Sequence, residues 1–276
     1  MVRIDLSAIK DLLDLNINSK ELINLLITIL EKSESAETRL ELLEFLNEYD
    51  LRHSSFFEMF ENHLISDAQE EIRRLAAELI IRNFMEEGLD ALEWTINNDP
   101  SPLVLDRIYA LTKELNSSYI IILESMLFEK FKEIAQKYKI VVEEVPFLLE
   151  LGVKFRDQNF YIGNQDFYFI YENYILCIIK EKHITELGIS FIEEVPDTIG
   201  LLTKLEHLDL SFGYISTLPN SMENLKNLKS INLCWNEFSS IPKVLKSLKK
   251  VKNINITNNK LKGIPEWASK VTNLIV

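Results

Sequence analysis

The chain has 276 residues, of which 47% are hydrophobic and 26% charged, a composition typical of globular domains with sizeable apolar cores. Its net charge of -13 argues against general nucleic-acid binding, because a phosphate backbone is bound by clustered cations. The sequence contains no apolar run of about 18 residues, so no membrane-spanning segment is predicted. No secretory signal is expected before the first amphipathic segment. Two cysteines are too few for a disulfide framework, so a cytoplasmic location is predicted.

Residues 1–140 are predicted to be helical throughout, because apolar residues recur at helical spacing. Ser35, Asp67 and Asp99 are evenly spaced along the chain, each at a predicted helix start, where Ser and Asp are favoured as caps. The strings SDAQEEIRRLAAELI and NDPSPLVLDRIYAL resemble HEAT-type α-repeats. This resemblance implies an N-terminal α-helical, HEAT-like solenoid, although plain α-hairpins give a similar spacing.

Residues 141–183 are expected to form a connector and a β-cap. Pro146 interrupts the helical pattern, and the stretch after it is rich in aromatic and β-branched residues. This composition favours strands, with a turn at Gly163-Asn164. Because stacked repeats need a cap over their open edge, we expect these strands to cover the N-terminal edge of the sheet predicted next.

Residues 184–276 contain a 23-residue repeat. Alternating apolar positions predict one short strand in each repeat, and stacked repeats place such strands in a parallel sheet. About four coils and a terminal strand are expected, with the first coil two residues short. The columns that keep the 23-residue step include Pro196, Pro219, Pro242 and Pro265; Leu205, Leu228, Val251 and Leu274; and Leu208, Ile231 and Ile254.

The pattern L-x-x-L-x-L-x-x-N-x-L-x-x-L-P in these coils resembles the 23-residue class of leucine-rich repeats found in Ras-pathway scaffolds and plant intracellular proteins. The resemblance implies a short solenoid with a parallel β-sheet on its concave side. At the Asn position, Asn236 and Asn259 are expected to form a structural ladder, which Gly213 interrupts one coil earlier. The predicted fold class is therefore an α + α/β repeat protein with domains at 1–140, 141–183 and 184–276.

The outward positions of the predicted strands form the candidate binding surface. Phe191, Phe212 and Trp235 occupy equivalent positions, and a column of aromatic residues on an exposed sheet resembles a binding hot spot. The alternative is that the rings pack on each other or on the N-terminal region. The other candidates on this concave face are polar: His207, Asp209, Ser230, Asn232, Asn253, Asn255 and Asn258.

The C-terminal region differs in charge from the rest of the chain. Residues 201–276 hold 11 lysines, no arginine and 5 acidic residues, a net charge of +6, which leaves -19 for residues 1–200. A solvated face is the favoured interpretation of the lysines, and contact with an acidic partner or with the chain's own acidic N-terminal region is the alternative. The clustered lysines are Lys226, Lys229, Lys243, Lys246, Lys249, Lys250 and Lys252.

The sequence favours no enzyme. The four histidines lack H-x-x-x-H spacing, and no glycine-rich phosphate motif occurs, so no catalytic residue, metal or cofactor is expected. The predicted function is a non-enzymatic scaffold that binds a protein through the concave sheet. By resemblance, a small GTPase or another signalling protein is implied as the partner, and neither nucleic acid nor membrane is expected.

Two further interpretations stay open from the sequence. The chain could instead be a regulatory or sensor subunit that controls an enzyme or a small GTPase in trans. The last coil ends within its predicted strand without a polar cap, so the open sheet edge is expected to pack on a partner, to pair with a second copy of the chain, or to fray.

Overall fold

The computed structural model describes residues 20–51, 53–154, 161–163 and 175–276. Contacts divide the chain into two compact units, Met1–Lys130 and Phe131–Val276, and this division falls inside a long helix. None of the helices in the described ranges combines the length and apolarity that a membrane crossing requires. The helices are α1 (Lys20–Lys32), α2 (Ala36–Leu46), α3 (Ser54–Ser66), α4 (Glu70–Asn83), α5 (Leu89–Asn98), α6 (Pro102–Glu114), α7 (Ser118–Tyr138) and α8 (Val145–Lys154).

The helices of the first unit alternate between two layers. Helix α3 contacts α1 and α5, while α4 contacts α2 and α6, and the pairs α1–α2 and α3–α4 also pack together. Side chains cap the starts of several helices: the Ser35 hydroxyl accepts from the Thr38 N–H, and the Ser101 hydroxyl accepts from the Leu103 N–H. These caps satisfy backbone donors that the first turn leaves unpaired.

Two arginine–aspartate pairs repeat along the even-numbered helices. Arg39 Nε lies 3.0 Å from Asp67 Oδ2, and Arg73 Nε lies 2.6 Å from Asp99 Oδ2. A second guanidinium nitrogen of each arginine donates to the other carboxylate oxygen. Arg73 also donates to the Asp67 carbonyl, which connects the two pairs. The even spacing of Asp67 and Asp99 in the sequence therefore reflects an arginine–aspartate contact that recurs in the next pair of helices.

A buried carboxylate lies between α7 and α8 in the second unit. Glu144 accepts from the Ile184 N–H at 2.9 Å and lies 3.0 Å from His183 Nδ1. Burial raises the pKa of Glu144, although these two hydrogen bonds oppose that effect. Pro146 then lies in the first turn of α8, where a missing N–H costs no helical hydrogen bond. Pro146 thus begins a new helix after the predicted interruption.

Within the part of the chain that the structure describes, seven strands form one sheet in chain order. Strands β2 and β3 are antiparallel, and every other neighbouring pair is parallel. Strand β3 is the first strand of the parallel repeat array, so β2 covers the N-terminal side of that array. The strands are β1 (Tyr161–Gly163), β2 (Ile175–Lys180), β3 (His183–Ile189), β4 (His207–Asp209), β5 (Ser230–Asn232), β6 (Asn253–Asn255) and β7 (Asn273–Ile275).

The turn between β2 and β3 contains two residues with a left-handed backbone. Lys180 pairs with His183, and between them Glu181 and Lys182 have φ values of 51° and 65°. Positive φ at both central residues is the signature of a type I′ turn, which matches the twist of a tight hairpin. The turn predicted at Gly163-Asn164 is not this one: Gly163 ends β1, and Asn164 lies outside the described residues.

Strands β3 to β7 form the repeat sheet, in which each coil contributes one strand. Four proline carbonyls, those of Pro196, Pro219, Pro242 and Pro265, each accept from the N–H three residues later. The apolar residues of the coils, such as Leu208, are buried. A helical region followed by a leucine-rich-repeat-like region is therefore confirmed.

The last coil departs from the predicted column. The sequence places Leu274 in register with Val251, but in the sheet Leu274 pairs with Ile254, and Asn273 pairs with Asn253. The step from the start of β6 to the start of β7 is thus shorter than the 23-residue repeat. The connection is shorter because only Val271 and Thr272 separate the last 3-10 helix, Ala268–Lys270, from β7.

Candidate functional site

The outward side chains of the sheet line an open groove of about 720 Å³. Because side chains alternate between the two faces of a strand, the register places the groove residues in two rows across neighbouring strands. The first row is Glu186, His207, Ser230, Asn253 and Asn273, and the second row is Gly188, Asp209, Asn232, Asn255 and Ile275. Six of the predicted polar candidates therefore lie together in this groove.

Hydrogen bonds connect neighbours within the first row. His207 Nδ1 lies 2.7 Å from the Ser230 hydroxyl, and Asn273 Nδ2 donates to Asn253 Oδ1 at 2.6 Å. These side chains are exposed or half-buried, so their remaining donors and acceptors face water. The row is an ordered set of amide, hydroxyl and imidazole groups that can bind polar groups of a ligand.

The second row has a structural role that the sequence analysis missed. Oδ1 of Asp209 accepts from the N–H of Ser211 at 2.9 Å, and Oδ1 of Asn255 accepts from the N–H of Thr257 at 3.2 Å. Asn232 makes the same turn contact and also donates to Asp209 Oδ2 at 3.0 Å. Asp and Asn favour such turns because their side chains reach the backbone two residues on. These residues therefore end the strands as well as line the groove.

The aromatic column consists of Phe191, Phe212 and Trp235. Their exposed fractions are 50%, 52% and 54%, although the rings of Phe212 and Trp235 stack with centroids 6.0 Å apart and planes 10° from parallel. The alternative that the rings pack on each other is thus correct for one pair. Half of each side chain nevertheless stays accessible to a partner.

The backbone at the aromatic column is left-handed. Phe191, Phe212 and Trp235 have φ values of 60°, 59° and 57°, and Asn258, at the same position one coil later, has 55°. Asn tolerates this conformation, whereas a bulky residue there is unusual. The left-handed conformation costs a bulky residue about 1 kcal/mol, and Asn less. Asn258 shows that the turn does not require a ring, so the local backbone gives no reason for the aromatic residues.

The two asparagines of the predicted ladder, Asn236 and Asn259, lie inside the coils. Asn236 accepts from the Ile215 N–H at 3.0 Å and donates to the Leu210 carbonyl at 2.7 Å. Asn259 makes the matching bonds to Phe238 N and the Leu233 carbonyl at 3.0 Å and 2.9 Å. At Gly213, an added Cβ would lie 2.8 Å from Asn236 Oδ1, so the coil leaves no room for a side chain there.

The two cysteine thiols are held in their neutral form. Burial raises the pKa of Cys177 to about 12, and burial together with the charge of Asp209 raises the pKa of Cys234. Because the thiolate is the nucleophile, neither cysteine is activated. Within the described ranges, no three or more His, Cys, Asp or Glu side chains cluster in a way that could hold a metal ion.

One exposed aromatic residue beside the column escaped the sequence analysis. Tyr214, two residues after Phe212, is 63% exposed. The corresponding residues of the next two coils are Glu237 and Lys260, which form an ion pair at 2.9 Å. Because this position shares no residue type between coils, no column of the sequence marks it.

Neither a protein-family model nor a curated protein matches the sequence. Among solved structures, the chain is similar to the leucine-rich repeat domain of the type III effector XopL, at 13% identity and a TM-score of 0.28. The match covers 66% of this chain and 48% of that chain, so it spans about half the length of the XopL structure. The description of residues 184–276 as leucine-rich-repeat-like rests on the strand register and repeated contacts of the chain itself.

Proposed function

We propose that the chain is a non-enzymatic interaction scaffold that binds an extended segment of a partner protein on the repeat sheet. The observation that carries this proposal is the aromatic column, whose half-exposed rings occupy left-handed positions where Asn258 suffices for the fold. Exposed aromatic residues at a cost to the backbone are typical of residues kept for binding.

The groove next to the column supports a polypeptide as the ligand. Its rows present amide and hydroxyl groups that match the donors and acceptors of a peptide backbone. Aromatic side chains bury roughly 150–250 Å² each and act as anchors. An extended segment therefore fits this surface, with apolar side chains on the rings and its backbone over the groove.

The neutral thiols support a binding role over a cysteine-dependent enzyme, because neither Cys177 nor Cys234 is activated. Four expectations from the sequence stay predictions. They are a small GTPase or signalling protein as the partner, a regulatory role in trans, a cytoplasmic location, and self-association through the last strand.

We also infer that the helical unit is a HEAT-type array that offers a second binding surface. Two observations support this inference: the two layers of helices and the repeated Arg39–Asp67 and Arg73–Asp99 pairs. Stacked helical repeats present extended surfaces to partners.

Affinity capture tests the scaffold proposal. Full-length chain would be used as bait in a lysate of the source organism, beside the double variant F212N/W235N and the control I264N, which removes an exposed apolar residue elsewhere (51% exposed). At least one protein should be captured by wild type and by I264N but depleted about tenfold or more with the double variant, which corresponds to roughly 1.4 kcal/mol. Equal recovery of every protein by all three baits would contradict the proposal.

A further inference from the structure

Six lysines form a continuous feature at the opposite ends of the strands from the aromatic column. All six lie within four residues before β4, β5 or β6, and all are exposed. The lysine ridge consists of Lys204, Lys226, Lys229, Lys249, Lys250 and Lys252. Because neighbouring strands lie roughly 4.8 Å apart, lysines of successive coils are held close to one another.

The described acidic residues neutralise little of the charge of the lysine ridge. Lys229 Nζ forms an ion pair with Glu206 at 2.7 Å, and Glu206 is the one acid among the four residues preceding each of these three strands. Lys250 donates to the Asn227 amide and Lys249 to a carbonyl, contacts that leave their charges in place. The chain carries 43 acidic residues, yet this edge keeps an excess of five positive charges.

We propose that the lysine ridge binds an acidic segment of a polypeptide, rich in Asp and Glu. The ridge runs directly into the groove, since Lys229 precedes Ser230 and Lys252 precedes Asn253. A polypeptide can confine its negative charge to the stretch that lies on the ridge. The electrostatic gain is greatest at low salt, because exposed charges are screened beyond roughly 8–10 Å at physiological ionic strength.

The neighbouring groove disfavours a nucleic acid on the same surface. Glu186 and Asp209 line the groove and would repel a polymer that carries one charge in every unit. The ridge positions also contain no aromatic residue on which a base could stack. No arginine occurs in residues 201–276, although arginine is the usual bidentate partner of phosphate.

A labelled peptide of about twelve glutamates tests the proposal by fluorescence anisotropy with the full-length chain at low and physiological salt. We expect a Kd below about 100 μM at low salt and weaker binding as salt rises. The variant K226E/K252E should bind at least tenfold more weakly. The control K243E/K262E makes the same change in net charge away from the ridge and should stay within twofold of wild type at physiological salt.

Each other outcome overturns the proposal. Equal losses in both variants would mean that net charge alone attracts the peptide. Tighter binding of a single-stranded oligonucleotide of equal length would identify a nucleic-acid surface instead, and no peptide binding at low salt would remove the site. The variant F212N/W235N should bind the glutamate peptide as wild type does, so a failure here is distinguishable from a failure of the aromatic anchor.

Discussion

At the scale of single residues, backbone conformation distinguishes residues that the fold requires from exposed residues that it does not require. One turn position is occupied by Phe191, Phe212, Trp235 and Asn258 in successive coils, always with positive φ. Asparagine is suited to that conformation and an aromatic residue is not. The side chains at this position are therefore better explained by what they contact outside the chain.

A stability prediction follows for Trp235. In W235N, relief of the left-handed strain, about 1 kcal/mol, offsets the loss of the Phe212 contact, about 0.5–1.5 kcal/mol. The free energy of unfolding measured in urea should therefore change by less than about 1 kcal/mol. The fully buried Phe238 provides the comparison, since F238A should cost about 3–5 kcal/mol. A loss in W235N as large as that in F238A would show that the ring is structural.

The buried carboxylate of Glu78 gives a pH-dependent prediction in the helical unit. Burial would raise its pKa, but hydrogen bonds from Arg107 and Arg82 outweigh burial and lower the pKa to about 2. Since the folded pKa lies below the unfolded value of 4.5, the stabilisation is full above pH 4.5 and is lost as pH falls towards 2. E78Q should lose about 3 kcal/mol at pH 7.

Urea unfolding of wild type and E78Q between pH 7 and pH 3, followed by the helical circular dichroism signal, measures this difference. The two proteins should converge in stability as the pH decreases. A gap that stays constant over this range would contradict the assignment of the low pKa to Glu78.

At the scale of elements, the hairpin between β2 and β3 uses residues that are poor at its turn. Glu181 and Lys182 both have positive φ, whereas Asn-Gly is the preferred pair for such a turn. The variant E181N/K182G should raise the free energy of unfolding by about 1 kcal/mol, measured by urea denaturation. The same pair introduced as E143N/E144G, where the buried Glu144 carboxylate binds Ile184, should destabilise the chain. Destabilisation by the hairpin variant would contradict the type I′ geometry.

The elements also show how far the sequence predicts the structure. The 23-residue columns predict the strands at His207, Ser230 and Asn253 because each coil repeats the same burial pattern. The same periodicity misplaces Leu274, since a leucine one full repeat after Val251 fits the column even though the shortened connection moves the strand by three residues. The hairpin turn was missed because neither Glu181 nor Lys182 carries a turn signal.

The sequence predicts which residues form the candidate site, but not the structural contact that each residue makes. Alternation along the strands predicts which side chains share the outward face. The turn contacts of Asp209 and Asn255 depend on where each strand ends, which a pattern of apolar residues does not specify. Positive φ at Phe212 and Trp235 is likewise visible only in the structure.

At the scale of the whole molecule, the repeat sheet presents two chemically different borders. The aromatic column follows the strands and the lysine ridge precedes them. Trp235 comes six positions after Lys229, which is at most roughly 20 Å along the chain. A partner segment with apolar residues at one end and acidic residues at the other would satisfy both borders. Of these two borders, only the aromatic one has a left-handed backbone beneath its side chains.

The most direct measurement is a double-mutant cycle on Phe212 and Trp235 with a purified captured partner, by isothermal titration calorimetry. Each of F212N and W235N should raise the Kd about tenfold, or roughly 1.4 kcal/mol. The loss of binding free energy in the double variant should be smaller than the sum of the two single losses. The reason is that the two rings stack with centroids 6.0 Å apart, and side chains in contact are coupled. A Kd unchanged in both folded variants would contradict the proposal that the aromatic column anchors the partner.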